Sequence, residues 1–304
     1  MTLLARSSSI GQGLGMMRHA DEHLQHSLEL SDSPPAKIES GPRLSTKTRL
    51  GKVSMSYGEG DALYQRALAN HDSHNRRHGY TMTVLGRQIQ EGYWSKLLYL
   101  QSVLVQELAK PAEERLEWIM WVDADSVILN PTVDVRVFLP PLEFGDVHFL
   151  GTTDDLGLNS GIFFTRVHQW SVKMVSATIA VPICEPDLDL EHSPDQRAME
   201  IVLNRTGFEE HTVYPPRTWF NAYYHDDAFQ GKRGDLLVHF PAVPERNRHM
   251  EEWLNMVDQH PKKWAIPYEE TTYEQDIDRF WNDLSLRRAA KSSAEQSEPP
   301  PSPR

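Results

Sequence analysis

A single cysteine, Cys184, is all the chain holds. No intramolecular disulfide can form, so the fold must rest on its apolar core. Long apolar runs are missing as well. The most hydrophobic stretches, Trp118–Val122 and Val175–Cys184, are short and each stops at an acid, far from the ~20 apolar residues of a membrane span. Met1 to Thr48 is built of Ser, Gly, Gln, His and charge, without the apolar stretch of about 7–15 residues that marks a secretory signal. Basic residues are in deficit: 31 Lys and Arg face 43 Asp and Glu, a formal net charge of −12. That balance speaks against a nucleic-acid or anionic-membrane partner, either of which needs a basic face. It leaves room for one phosphorylated small molecule, because a bound divalent cation inverts the local charge.

What is present is ordinary for a globular protein: 39% hydrophobic and 24% charged residues, enough for a sizeable core. Strand-like and helix-like segments alternate. Arg49–Tyr57 reads as a strand, Asp61–His78 as a helix closed by Gly79, Tyr80–Leu85 as a strand, and Ser95 as the cap of a helix stopped by Pro111. Leu116–Val122 is an almost continuous apolar run, expected of a central strand buried on both faces. Asp146–Thr152, Ser160–Thr165 and Asp235–Phe240 follow as strands of the same sheet. Helices over Gln169–Ala180, Pro194–Asn204, Glu245–Gln259 and Thr271–Lys291 are interleaved with them or follow them. The alternation predicts an α/β sandwich on a mostly parallel sheet, with ligands at the carboxyl ends of its strands.

Directly after Val122 stands Asp123-Ala124-Asp125. Alternation puts residues i and i+2 on one side, so the two carboxylates share one target. Such close like charges are costly without a cation between them, and carboxylates suit Mg²⁺ or Mn²⁺. A solvated turn is the plainer reading of a D-x-D tripeptide; the buried strand before it favours the metal.

Three segments carry a resemblance: Glu117–Asn130 (EWIMWVDADSVILN), Gly157–Arg166 (GLNSGIFFTR) with Trp170, and His239. With Asn75–Tyr80 (NRRHGY) and Lys96 upstream, these resemble the fungal galactosyltransferase/mannosyltransferase family, itself similar to the plant xyloglucan xylosyltransferases. The resemblance runs from about Lys52 to about Val257. It implies a GT-A type fold, a Rossmann-like nucleotide half joined to an acceptor half. It also implies retaining transfer of a sugar from a UDP-sugar or GDP-sugar to a glycan, with Mn²⁺ (or Mg²⁺ in its place) as cofactor. The expected organisation is an N-terminal arm over 1–48, a transferase domain over 49–268, a C-terminal helix over 269–284 and a Pro/Ser-rich tail over 285–304.

By the same resemblance Asp123, Asp125 and His239 are the metal ligands. A satisfied core histidine is the alternative for His239. Lys96, Asp123, Ala124, Asn159, Ser160 and Gly161 meet the donor, although Lys96 reads equally well as a surface lysine. Asp195 and Gln196, at the start of a helix with Ser193 as cap and Pro194 at its first position, correspond to the family's catalytic pair. Asp154 and Asp155 contact sugar hydroxyls or form a solvated loop. Trp219, Phe220, Asn221 and the pair Tyr223-Tyr224 form an aromatic loop that stacks on sugar rings or, for at least half of its members, packs in the core. After His239 the sequence departs from the family, and Arg246 stands in for its leaving-group lysine.

A galactosyl or mannosyl transferase is therefore the leading expectation, alone or in a homo- or hetero-oligomer with other glycosyltransferases. A catalytically weak nucleotide-sugar-binding subunit is the second, and a metal-dependent phosphohydrolase the third. Relatives of this kind sit in the Golgi lumen behind an N-terminal anchor. This sequence shows none, which implies a soluble member or an N-terminus that is not the native one.

Overall fold

The computed structural model describes residues 48–58, 61–190 and 192–297. The arm expected over 1–48 lies outside them apart from Thr48. Ten strands and six α-helices are formed in the described residues. In chain order they are β1 Leu50–Met55, α1 Asp61–His78, β2 Thr81–Leu85, α2 Trp94–Leu108, β3 Trp118–Val122 and β4 Ser126–Ile128. Next come β5 Phe149–Asp154, β6 Gly157–Arg166, α3 Gln169–Cys184, α4 Pro194–Leu203 and β7 Thr212–Val213. The short strands β8 Tyr224–His225, β9 Ala228–Phe229 and β10 Leu237–His239 precede α5 Arg246–Gln259 and α6 Tyr273–Ser297. Gly79 does end α1: it adopts φ +74°, and its N–H donates to the Asn75 carbonyl.

The main sheet runs β2-β1-β3-β6-β5-β7. β1 pairs parallel with β2 and β3, and β5 parallel with β7, while β6 runs antiparallel between β3 and β5. The expected mostly parallel α/β sheet is therefore present. β3 explains why: all five of its residues are buried, and alternation divides them between two cores. Trp118, Met120 and Val122 pack with Phe138, Phe220 and the α6 residues Tyr273 and Trp281. Ile119 and Trp121 pack with Leu97, Leu100 and Leu104 of α2, Met174 of α3 and Met199 of α4. Each large apolar side chain so buried contributes roughly 1.5–3 kcal/mol.

Two expectations need correction. Asp235–Phe240 does not extend the main sheet; β10 pairs antiparallel with β4 in a separate two-stranded sheet, setting Ser126 opposite His239. That small sheet packs on α1 and α5 through Val127, Val238, Ala67 and Met250. The final helix overruns its expected end at 284, continuing to Ser297. Arg288 holds this extension down by pairing with Asp146 at 2.8 Å. Among the described residues no helix is long and apolar enough to cross a membrane.

Candidate active site

The end of β3, the start of β4, the middle of β6, the start of α4 and the end of β10 converge on one cavity of about 920 Å³. The candidates for metal, donor and catalysis all line it: Lys96, Asp123, Ala124, Asp125, Asn159, Ser160, Gly161, Asp195, Gln196 and His239. Ligand atoms of Asp123, Asp125 and His239 lie within 4.8 Å of one another.

The hydrogen bonds around these residues fix which atoms remain available. Gly161 N–H donates to Asn159 Oδ1 at 3.0 Å, and Asn221 Nδ2 donates to the same oxygen and to Thr152 Oγ1. Asn221 must therefore turn its Oδ1 toward His239 Nδ1, 2.8 Å away, so that ring nitrogen carries the proton. The other ring nitrogen, Nε2, faces Asp125 Oδ1 at 3.2 Å. A ring nitrogen and a carboxylate oxygen that close require a proton or a cation between them. This donor set, with a carboxamide holding the outer ring N–H, fits a divalent metal.

Asp123 is oriented in the same manner. Its Oδ1 accepts from Trp121 Nε1 at 2.6 Å and from Lys96 Nζ at 3.3 Å. Lys96 is buried, which removes its surface-lysine reading, and it also donates to the carbonyl of Ser160. Ser95 is not the cap of α2: Tyr93 occupies that position, and Ser95 Oγ instead accepts from the N–H groups of Ile89 and Gln90. Asp125 is largely buried at the cavity wall. Burial pushes its carboxyl up, but His239 and Arg246 beside it bring it net below the usual range. Arg246 Nη1 lies 3.1 Å from Asp125 Oδ2.

Asn159, Ser160 and Gly161 stand inside β6, which begins earlier, at Gly157, than the strand expected from Ser160. A Cβ on Gly161 would meet His239 Cε1 at 2.4 Å, so the glycine makes room for the imidazole. Gln196 Oε1 accepts from Ser160 N–H at 2.9 Å, leaving its NH₂ as the free donor. Asp195 is buried; desolvation raises its carboxyl above the ordinary value, against the pull of nearby Lys96. Ser193 supplies no side-chain cap to α4. Of the aromatic loop, Trp219 and Phe220 belong to the core, and Tyr224 packs with Phe240 and Trp253. Tyr223 lines the cavity, its OH donating to Asp154 Oδ2 at 2.9 Å with Arg217 stacked on its ring. Asn221 was expected in a sugar-facing loop but instead holds the His239 ring, while Trp121 and Ser126 had no signal of their own in the sequence, being a core indole and a strand serine.

Residues 142–250 match the galactosyl transferase GMA12/MNN10 family. That span begins after the D-x-D turn and includes Asn159–Gly161, Asp195, Gln196 and His239. The matched segment is similar to a glycosyltransferase family, and the fold to that of a solved glycosyltransferase. The chain is 25% identical over 225 residues to "Probable glycosyltransferase 7" of Oryza sativa subsp. indica, covering 63% of this chain and 48% of the relative. It is 28% identical over 129 residues to "Xyloglucan 6-xylosyltransferase 4" of Arabidopsis thaliana, covering 39% and 23%. The chain thus spans about half the length of the first of these relatives and less of the second. A solved glycosyltransferase involved in glycosylation of the major capsid of PBCV-1 superposes with TM-score 0.51 at 14% identity, covering 67% of this chain and 99% of that one. The GT-A type architecture expected from sequence is therefore observed.

Proposed function

We propose that this glycosyltransferase-fold chain moves a galactosyl or mannosyl group from a UDP-sugar or GDP-sugar to a glycan, with retention of configuration. The observation that carries the reading is the convergence of Asp123, Asp125 and His239, ligand atoms within 4.8 Å of one another, on a cavity large enough for a nucleotide sugar. Asp123, Asp125 and His239 would hold Mn²⁺, or Mg²⁺ in its place. When bound, the cation offsets the negative charge that builds on the departing diphosphate, which lowers the barrier more than it tightens the ground state.

The protein's own groups supply the rest. Lys96 braces Asp123 against Ser160 and adds positive charge beside the phosphates. Arg246, paired with Asp125 across the cavity mouth, serves as the second cation for the leaving phosphate. Gln196 would offer its free NH₂ to the reacting sugar, and Asp195, at the same helix start and lining the same cavity, would face the anomeric carbon. Tyr223 and Asp154 offer a ring face and a carboxylate to sugar hydroxyls. A lumenal compartment of the secretory route suits such a reaction.

Incubation with Mn²⁺ and a panel of nucleotide sugars tests the reading. Release of UDP or GDP, by transfer or by slow hydrolysis, is the expected result. Donor binding without any release would make the chain a nucleotide-sugar-binding subunit instead.

A further inference from the structure

Beneath the D-x-D turn lies a polar chain that the transfer chemistry does not use. Lys52, in the middle of β1, is 1% exposed. Its Nζ lies 3.0 Å from His74 Nδ1 and 3.4 Å from His71 Nδ1, both on α1. His71 Nε2 lies 3.0 Å from Ser126 Oγ, and Ser126 Oγ donates to the backbone carbonyl of Asp123 at 2.7 Å.

The proton positions follow from the ends of this chain. A carbonyl only accepts, so Ser126 spends its one proton on Asp123 and must accept from His71 Nε2–H. Neutral His71 then has a lone pair on Nδ1, which accepts from Lys52. His74 is fixed independently: its Nε2 lies 2.9 Å from the Val133 carbonyl and must donate to it, so its Nδ1 also accepts from Lys52. Burial, then the Lys52 charge, holds His71 well below its ordinary pKa, in keeping with a neutral ring. All donors point the same way, from the lysine toward the turn.

The carbonyl at the far end belongs to the peptide joining Asp123 to Ala124. Fixing that plane fixes the relative aim of the two carboxylates on either side of it. The Asp123 N–H is held from β6 by the Gly161 carbonyl at 2.8 Å, and the Asp125 carbonyl accepts from Phe240 N–H at 3.0 Å. The Ser126 bond is the third point, and without it the Asp123 carbonyl faces a buried serine position with no donor. Ser126 also stands opposite His239 in the small sheet.

We propose that Lys52, His71 and Ser126 are positioning residues: a one-way hydrogen-bond strut that presets Asp123 and Asp125 for a divalent cation. The proposal rests on the metal reading given above.

Mn²⁺ alone, titrated into the full chain and followed by the paramagnetic resonance of the free ion, tests it. Ser126→Ala should weaken Mn²⁺ binding on the order of tenfold, the effect of one buried acceptor left unmet. Ser126→Thr, which keeps the hydroxyl, should bind within about threefold of the native chain. Lys52→Met should weaken binding by about threefold, and the double variant Lys52→Met/Ser126→Ala should bind no worse than Ser126→Ala alone, since both cut one chain. Native affinity in Ser126→Ala, or independent effects that multiply in the double variant, would overturn the strut. Should Ser126→Ala fail to fold, native affinity in Lys52→Met overturns it equally. A native chain that takes up no Mn²⁺ overturns the metal reading itself, and the strut with it.

Discussion

Nε2 of His239 and Oδ1 of Asp125 stand 3.2 Å apart. The other ring nitrogen, Nδ1, donates to Asn221 Oδ1 at 2.8 Å, which aims Nε2 at the carboxylate. The ring plane of His239 is thereby tied to one loop amide.

Asn221→Ala removes that acceptor and frees the imidazole to turn. Mn²⁺ affinity should fall roughly 10- to 100-fold, the usual cost of losing a residue that orients a metal ligand. Calorimetric titration with Mn²⁺ checks this, and affinity within twofold of the native chain would count against His239 as a ligand.

Gly161→Ala places a methyl 2.4 Å from the His239 ring, where no side chain fits without a shift. Thermal stability should fall by about 1–3 kcal/mol, as for other overpacked sites. Metal binding should fall with it. Gly207→Ala, at an open position with φ +90°, should leave metal binding unchanged and so separates the local effect from general strain.

Arg246→Ala should lower turnover by roughly two orders of magnitude, the scale found when one charge-stabilising donor is lost from a transition state. Steady-state rates of nucleoside diphosphate release measure it. Unchanged turnover would remove Arg246 from the site chemistry and leave it as an ion-pair partner of Asp125.

Lys52 gives the protein a pH signature. Burial lowers its ammonium from 10.5 to about 7. Between those values the unfolded chain carries the proton and the native one does not, so this residue makes stability rise with pH across that window. The slope is at most about 1.4 kcal/mol per pH unit. Denaturant unfolding of the native chain and Lys52→Met at pH 7 and 9 should differ in this slope, the variant being flatter. Parallel curves would mean that the lysine is not neutral in the fold.

Much of this was legible in the chain because it rested on local pattern. The apolar run at β3 announced a strand buried on both faces, and a carboxylate pair after such a strand can only stand at its mouth. Asp61–His78 was readable to its final residue because Gly79 stops it. What escaped was non-local. β4 and β10 are three residues each and pair across more than a hundred positions, so the separate sheet that carries His239 leaves no periodicity behind. Lys52 looks like any polar residue of an alternating strand until His71 and His74 close over it. The extension of α6 to Ser297 is stabilised by Arg288 against Asp146, a contact invisible to composition.

The central claim is that the cluster of Asp123, Asp125 and His239 directs cleavage at the sugar–diphosphate bond. Mass spectrometry of the products formed from a UDP-hexose or GDP-hexose with Mn²⁺ addresses it directly. The account predicts intact nucleoside diphosphate plus transferred or free sugar, abolished by chelator and by Asp125→Asn. Nucleoside monophosphate with sugar phosphate, the products of a phosphohydrolase, would contradict it.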